Sequence, residues 1–303
     1  MTDVMEADIR EIHPEGIGRF DVIIGGPPCN EFSYANKGGS GDCRKGMLLV
    51  AAFLNCVAII RPKFWLMENV PRLLKFLPRQ VDLGKFGMEG GILNIPVISL
   101  VNAADFGVPQ RRTRAVIGNY PLLRQTHSAK SSRQEWFVDG GPAPWNTMAR
   151  IINGLPNPQG PVPFRPVVDP NYPEISIPAR TMTDHFYDTT LTTREAHSSE
   201  AKKTRHQWYG KMRFPDSLEL PSRTITAVHV KGSREAIVIQ GDSSSSFKYR
   251  SPSLREYASL QTFPITYQFT GSLSTKMRLI GNAFPPMLAE VFAKAITKHE
   301  VDN

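Results

Sequence analysis

The chain has 303 residues, of which 41% are hydrophobic, enough to build one large domain or a large and a small domain around apolar cores. Its three cysteines are odd in number and lack the spacing of a zinc site, so neither a disulfide framework nor a zinc centre is predicted. No signal peptide and no apolar run near the roughly 20 residues that span a bilayer is visible, so we expect an intracellular protein without a membrane partner. The formal net charge of +8 favours an anionic partner such as nucleic acid, although charge alone does not decide this.

The first predicted element is a short strand over 19–24, where β-branched and apolar residues precede the tight loop Gly25-Gly26-Pro27-Pro28. A buried helix is predicted over 46–60, which is apolar on most faces and is followed by Arg61-Pro62. Further strands are predicted at 63–67, 95–101 and 114–118, and a helix near 288–296. Strands that alternate with helices or long crossovers predict an α/β fold with a mostly parallel, doubly wound sheet.

Composition divides the chain into three parts. From about residue 120 to 213 it is rich in Pro, Ser, Thr, Arg and His with few apolar runs, which predicts a loop-dominated region. Four serines at 243–246 predict a surface loop before the last segment. The sequence therefore predicts a large domain over 1–120, a smaller, loop-rich domain over 121–245, and a segment, 246–303, that returns to the first domain.

Cys29 follows the first predicted strand and two prolines, which fix φ and remove backbone donors. A thiol whose position is set by the backbone in this way is presented as a nucleophile. The alternative is a small buried hydrophobic residue, which is the role we predict for Cys56 inside the apolar helix. Cys43 lies in a Gly-rich loop without a predicted partner.

Two further stretches place polar residues beside predicted strands. Glu68 and Asn69 directly follow the strand at 63–67, where a carboxylate is either an ion-pair partner or a functional group, and both roles stay open. The other stretch surrounds the start of the strand at 114–118 with Gln110, Arg111, Arg112 and Arg114. Arg112 and Arg114 share a face, because side chains alternate along a strand.

These stretches and the closing segment MRLIGNAFPPMLAEVFAKAI resemble, in order, four motifs of the cytosine-5 DNA methyltransferases: the Pro-Cys nucleophile loop, the Glu-Asn-Val motif, the Gln-Arg-x-Arg-x-Arg-type motif and the Gly-Asn-Ala/Ser-Val-Pro-Pro motif. PSRTITAVHVKG and SPSLREYASLQTFPITYQFTGS resemble further family segments. The match runs from about residue 8 to 296. It implies a Rossmann-like, doubly wound methyltransferase sheet with a smaller target recognition domain over 121–245.

The resemblance implies covalent catalysis on a cytosine flipped out of double-stranded DNA. Carbon 5 of cytosine is too weakly nucleophilic to take a methyl group until a thiolate, here that of Cys29, adds to carbon 6. Glu68, protonated or sharing a proton with ring nitrogen 3, would neutralise the charge that enters the ring. Arg112 and Arg114 would hold the ring oxygen and the target phosphate.

The methyl donor implied by the resemblance is S-adenosylmethionine, with cofactor contacts expected from Asp8, Ile9, Pro27, Asn282 and Ala283. DNA contacts are expected from Ser33, Asn69, Gln110, Arg165, Arg180, Lys202, Lys203 and Arg205. For any single cation of the loop-rich region, a solvated surface charge is the commoner role. The target sequence cannot be read from these residues.

The family's Gly-rich cofactor loop and ribose-binding acid would lie before Asp8, so we predict that the first strands of the sheet are missing. Either a complementing N-terminal subunit supplies them, or they are lost through a truncated gene or reading frame. The leading hypothesis is a cytoplasmic, prokaryotic DNA methyltransferase chain located at the nucleoid. The alternative is an inactive DNA-binding or regulatory remnant, against which the intact set Cys29, Glu68, Arg112 and Arg114 argues. An RNA methyltransferase is disfavoured by the long basic insert.

Overall fold

The computed structural model describes residues 4–32, 41–129, 141–205, 212–228, 230–241 and 248–302. The chain forms two compact units. Unit 1 comprises Met1–Val101, Thr113–Leu123 and Phe292–Asn303, and unit 2 comprises Asn102–Arg112 and Arg124–Val291. Each unit is described by itself below.

Strands and helices alternate along the chain. The strands are β1 (Val22–Gly25), β2 (Phe64–Asn69), β3 (Gln80–Asp82), β4 (Ile92–Asn94), β5 (Val97–Asn102), β6 (Thr113–Asn119), β7 (His127–Ser128), β8 (Ala143–Pro144), β9 (Pro166–Val168), β10 (Ser176–Pro178), β11 (Ile239–Gln240) and β12 (Tyr249–Arg250). The α-helices are α1 (Cys43–Ile60), α2 (Met148–Ile152), α3 (Thr193–Thr204), α4 (Leu254–Leu260), α5 (Leu273–Asn282) and α6 (Pro286–Asp302). Short 3₁₀ helices lie at Pro14–Gly16, Pro71–Lys75, Leu83–Phe86, Ala103–Phe106 and Ala179–Thr181.

The central sheet of unit 1 has the strand order β1-β2-β6-β5. β1 pairs with β2 in parallel, with Val22 opposite Phe64, whereas β6 runs antiparallel to β2, with Val116 opposite Glu68. The sheet is therefore mixed, and the expectation of a mostly parallel sheet was wrong for β6. Mixed sheets of this kind are common in doubly wound α/β folds, and the predicted α/β class is confirmed.

α1 is the main helix of the unit 1 core. Asp42 caps it by accepting hydrogen bonds from the backbone N–H groups of Arg44 and Lys45, and it ends at Arg61, whose φ of 53° lies in the left-handed region before Pro62. Within the part of the chain that the structure describes, α1 is long and apolar enough to cross a membrane, judged by length and composition alone. Its inward face instead packs on the sheet with Val50, Leu54 and Val57, which is the position of a core helix.

Unit 2 has its own apolar core. The core gathers residues of α2, α4 and α5, among them Met148, Ile151, Tyr257 and Ile280. In its described residues, the region predicted to be loop-dominated contributes short strands, such as the antiparallel pair β9 and β10, and the helices α2 and α3. α3 begins with a capping box, in which Thr192 and Glu195 satisfy each other's backbone N–H groups.

Candidate active site

The loop that carries Cys29 is fixed on both sides. Before it, a side chain at Gly25 would overlap the ring of Phe53, so only glycine lets β1 pack on α1 here. The fully buried Asn69, at the end of β2, donates from Nδ2 to the carbonyl oxygen of Pro27 at 3.1 Å. The thiol of Cys29 is half-buried. The backbone is thus held in place around Cys29.

The other side of the loop is anchored by Phe32. Its backbone N–H donates to the Cys29 carbonyl at 3.0 Å, and its fully buried ring lies 5.8 Å from that of Phe76. Arg72 donates from Nη1 to the Phe32 carbonyl at 3.4 Å. The sequence interpretation missed Phe32 and Arg72. A single phenylalanine three residues after the cysteine, in an otherwise polar stretch, is the signal that could have revealed the anchor.

Glu68 and Arg114 form an ion pair across the neighbouring strands β2 and β6. Arg114 Nε lies 2.8 Å from Glu68 Oε1, and the side chains are only 12% and 16% exposed respectively. A Cβ placed on Gly26 would lie 3.8 Å from Glu68 Oε2, so the carboxylate faces the loop that leads to Cys29. The structure therefore brings Cys29, Glu68, Asn69 and Arg114 together where β1 and β2 end.

This ion pair answers the question that the sequence left open, because Glu68 is both paired and directed at the nucleophile loop. Arg114 thus holds Glu68 in place beside that loop.

Arg112 lies in unit 2 and has a different environment from Arg114. It is 1% exposed, and its Nη1 and Nη2 donate to the carbonyl oxygens of Ile225 at 3.3 Å and Gly281 at 3.0 Å. These contacts are typical of a side chain that fixes backbone segments. They favour a structural role for Arg112, and its assignment as a catalytic residue stays a prediction that its contacts do not support.

Gln110 is also buried in unit 2. Its side-chain amide donates to the Oε1 of Gln261, and its own Oε1 accepts from the backbone N–H of Ile225 at 3.1 Å. Gln261 in turn donates to the carbonyls of Ile280 and Ala283 at 3.0 and 2.9 Å. An amide enclosed in this network is not presented to DNA, so the DNA contact expected of Gln110 needs correction. The sequence interpretation missed Gln261 entirely.

The expected cofactor residues lie in both units. In unit 1, Ile9 packs against the core cluster and Pro27 is half-buried. The carboxylate of Asp8 accepts from Arg10 Nε at 2.9 Å, and this hydrogen bond lowers the pKa of Asp8 to about 2. In unit 2, Asn282 ends α5 with an exposed side chain, and Ala283 follows it.

The residues expected to contact DNA separate by burial. Arg165, Arg180, Lys202 and Arg205 are exposed on unit 2. Lys203 is fully buried, with Nζ 2.7 Å from Asp216 Oδ2, so its ammonium is not available to a phosphate and that expectation needs correction. Asn69 is buried and braces the Cys29 loop, and Ser33 lies outside the described residues.

A family model for C-5 cytosine-specific DNA methylase matches residues 1–298. Among curated proteins, the chain is 29% identical to the type II methyltransferase M1.HphI of Haemophilus parahaemolyticus, over 97% of the chain and 74% of that protein. It is 30% identical to the type II methylase M.HgiDII of Herpetosiphon aurantiacus, over 97% of the chain and 81% of that protein. A solved structure of a prophage-encoded methyltransferase from E. coli has the same fold, with a TM-score of 0.57 and 22% identity over 96% of this chain and 84% of that one.

The nucleophile loop, the carboxylate beside it and these matches define a methyltransferase with a Rossmann-like α/β fold. The chain belongs to the C-5 cytosine-specific DNA methylase family, and it is an enzyme of the DNA (cytosine-5)-methyltransferase class.

Proposed function

We propose that this chain methylates carbon 5 of a flipped-out cytosine in duplex DNA through a covalent adduct with Cys29. The observation that carries the proposal is the assembly at the ends of β1 and β2. Cys29 is held between the Asn69 bond to Pro27 and the buried Phe32 anchor, and the Glu68–Arg114 pair lies beside its loop.

The residues of unit 1 act in sequence. The Cys29 thiolate forms a bond to carbon 6, and the electrons of the 5,6 double bond move into the ring, where a proton at nitrogen 3, shared with Glu68, neutralises them. Arg114, which holds Glu68 in the free enzyme, contacts the ring oxygen of the bound base. Carbon 5 takes the methyl group as the bond from that group to the donor's sulfonium sulfur breaks and leaves its electron pair on the sulfur. A base then removes the carbon 5 proton, the 5,6 double bond re-forms, the Cys29 sulfur leaves as thiolate, and the proton shared at nitrogen 3 returns to Glu68.

S-adenosylmethionine, when bound, supplies an electrophilic methyl group. Two residues of unit 1 suit the adenosyl part of this cofactor. Ile9 offers an apolar surface, and Pro27 lies two residues before Cys29. Asp8 has to exchange its partner Arg10, which costs little because exposed ion pairs are weak. Asn282 and Ala283 stay predictions from the family motif.

The proposal also covers the substrate, the DNA-contacting residues and a complementing subunit. The substrate is double-stranded DNA in the cytoplasm, as expected of relatives named type II methyltransferases. Arg165, Arg180, Lys202 and Arg205 are proposed as phosphate or base contacts because all four are exposed cations. A complementing subunit is proposed to pair with β1, whose Val22 and Ile24 are exposed.

The test uses the serine variant of the nucleophile. Cys29→Ser should abolish methyl transfer and leave duplex binding intact, because a hydroxyl is nearly isosteric with a thiol and is a far poorer nucleophile at neutral pH. Methyl transfer from labelled S-adenosylmethionine to unmethylated genomic DNA measures turnover, with the proposed complementing subunit added where the chain alone is inactive. Cys43→Ser, another half-buried cysteine of unit 1, is the matched control and should keep full turnover.

A duplex that contains 5-fluorocytosine tests the adduct itself. Fluorine at carbon 5 cannot leave as the proton does, so the bond from Cys29 to carbon 6 persists through denaturing electrophoresis. The wild-type chain and Cys43→Ser should form this stable complex and Cys29→Ser should not. Turnover or a stable complex with Cys29→Ser would show that another residue is the nucleophile.

A further inference from the structure

One face of helix α3 is fixed to the rest of unit 2. Ala196 packs in a small cluster with Leu191 and Val238, and the fully buried Ser199 donates from Oγ to the Ser233 carbonyl at 3.1 Å. Lys203 pairs with Asp216 on the same face. Residues 196, 199 and 203 lie three and four positions apart, so they form a single stripe along the helix.

The flank of the helix is fixed as well. Ser198 Oγ and Lys202 Nζ both donate to the carbonyl oxygen of Gly232, at 3.1 and 2.9 Å. A Cβ on Gly232 would lie 3.2 Å from the Glu195 carbonyl oxygen, so the turn at Gly232 lies directly against the helix. With the face and one flank bound, α3 has a single defined rotation about its axis and presents a constant face outward.

The outward face is cationic. At 100° per residue, Arg194 and Ala201 point almost opposite to the buried stripe, with His197 beside them. Arg205 caps the C-terminal end of the helix, and all four residues are exposed. The two acids of the helix lie off this face, and Glu195 is engaged in the capping box. Two arginines therefore lie at the two ends of the face, and the small Ala201 lies between them.

The dimensions of this face match a DNA groove. Arg194 and Arg205 are eleven residues apart, about 16 Å at 1.5 Å per residue. The major groove is about 12 Å wide and admits an α-helix. Two cations at this spacing can reach phosphates on the two edges of the groove, while a small side chain between them lets the helix approach the bases.

We propose that this outward face of α3 lies against the major groove of the substrate duplex, with Arg194 and Arg205 on phosphates and with His197 and Ala201 directed at base edges. The proposal rests on the proposed function, since it names the surface by which unit 2 holds the DNA. The proposal removes the buried Lys203 from the expected DNA contacts and adds the exposed Arg194. It also identifies the helix face that determines target preference.

Salt dependence of binding tests the phosphate contacts. Each lost phosphate contact reduces the slope of log K against log salt by about 0.9, so Arg194→Gln with Arg205→Gln should reduce it by about 1.8. The probe is a fluorescent random-sequence duplex, measured by anisotropy with the full chain. The control removes two exposed arginines elsewhere on unit 2, Arg124→Gln with Arg278→Gln. Equal slopes for the two double variants would overturn the proposal.

Close approach of the helix is tested by one matched pair of variants. Ala201→Glu should weaken duplex binding by at least about tenfold, because it places bulk and a negative charge at the centre of the contact. Ala289→Glu makes the same change at an exposed alanine of α6 and should leave binding unchanged. Unaltered binding by Ala201→Glu, with the fold verified by circular dichroism, would refute the contact.

Sequencing of the methylated sites separates this inference from the proposed function. Where wild-type protein methylates genomic cytosines and His197→Ala keeps both the affinity and the set of sites, the α3 face does not read bases. Where wild-type protein binds the duplex through α3 and no cytosine is methylated even with the proposed subunit present, the proposed function fails and the docking surface stands.

Discussion

At the scale of single residues, Arg112 and Arg114 show how two arginines of one motif take different tasks. Arg114 is paired with Glu68 beside the nucleophile loop, whereas Arg112 is buried between the carbonyls of Ile225 and Gly281. The two side chains belong to one short segment but lie in different units. We expect their removal to change different measured quantities.

Arg112→Met should lower the free energy of unfolding by about 1 to 3 kcal/mol, because two carbonyl groups lose a charged donor. Arg114→Met should lose methyl transfer, because the ring oxygen of the bound base loses its donor and Glu68 loses the partner that holds it beside the loop. Urea unfolding and the methyl-transfer assay on the same two variants measure both effects. A stable, inactive Arg112→Met would restore that residue to the catalytic set.

His185 is a buried titratable residue in unit 2. Its Nδ1 lies 2.8 Å from Ser253 Oγ and its Nε2 lies 2.8 Å from the Pro156 carbonyl oxygen, which requires a proton on Nε2. Burial lowers the pKa of His185 below its ordinary value of 6.5, although the nearby carboxylates of Glu256 and Asp184 oppose this. The folded state therefore holds the neutral ring.

Because the unfolded chain binds a proton at His185 more readily than the folded chain does, stability is complete above about pH 6.5 and falls as the pH drops below it. Thermal unfolding at a series of pH values should show this decline in the wild-type protein. His185→Gln, which can still donate to Pro156, should show a shallower decline between pH 6.5 and the lower pKa of the folded state. An identical pH profile for the variant would assign the decline to other groups.

At the scale of elements, Asp216 connects α3 to two other segments of unit 2. Its carboxylate accepts from Lys203 Nζ at 2.7 Å, from Arg223 Nε at 2.8 Å and from the backbone N–H of Val238 at 2.9 Å. Lys203 of α3, the side chain of Arg223 and the backbone at Val238 are thus joined through one largely buried carboxylate.

The variant Lys203→Met distinguishes a structural role of Lys203 from a role in DNA binding. Loss of the buried partner leaves Asp216 with one cation fewer and should destabilise the fold by up to about 3 to 5 kcal/mol, as expected when a buried ion pair is broken. The salt slope of DNA binding, measured below the unfolding temperature, should not change. A lower salt slope for Lys203→Met would mean that this ammonium reaches phosphate after all.

Four strands and the helix α1 of unit 1 could be predicted from the sequence to within a few residues, because apolar runs bounded by Gly and Pro mark a buried strand or helix, whereas the short strands β3 and β4 were missed. The strand predicted at 63–67 is β2, Phe64–Asn69, and the helix predicted at 46–60 is part of α1, Cys43–Ile60. The direction of β6 could not be predicted, because alternation of side chains is the same in parallel and antiparallel strands. Burial of Lys203 beside the exposed Lys202 likewise depends on Asp216, thirteen residues away.

In the candidate site too, features set by neighbouring residues could be predicted and features set by distant residues could not. The backbone chemistry of Pro27 and Pro28 indicates a fixed Cys29 from sequence alone. The bond from Asn69 to Pro27 joins residues 42 positions apart, and the network of Gln110 with Gln261 joins residues 151 positions apart. Such contacts arise from tertiary packing, and no local pattern in the sequence indicates them.

At the scale of the whole molecule, the edge of the unit 1 sheet formed by β1 exposes apolar side chains in the described residues. β1 is at one end of the strand order and pairs with β2 alone. Along and beside it, Val22 is 41% exposed, Ile24 73% and Phe20 49%. An exposed apolar edge strand pairs readily with another chain.

We therefore expect the 303-residue chain to self-associate through β1 unless a complementing subunit covers that edge. Ile24→Lys places a charge on the exposed edge and should shift the protein toward monomer in light scattering, because a lysine on an edge strand disfavours pairing with another strand. Leu122→Lys makes a similar change at a residue that is 77% exposed and outside the sheet, and it should leave the association unchanged. The proposed subunit should bind the wild-type chain and the Leu122 variant but not the Ile24 variant. A wild-type chain that is monomeric, binds S-adenosylmethionine at micromolar concentration and methylates DNA alone would show that this edge needs no partner.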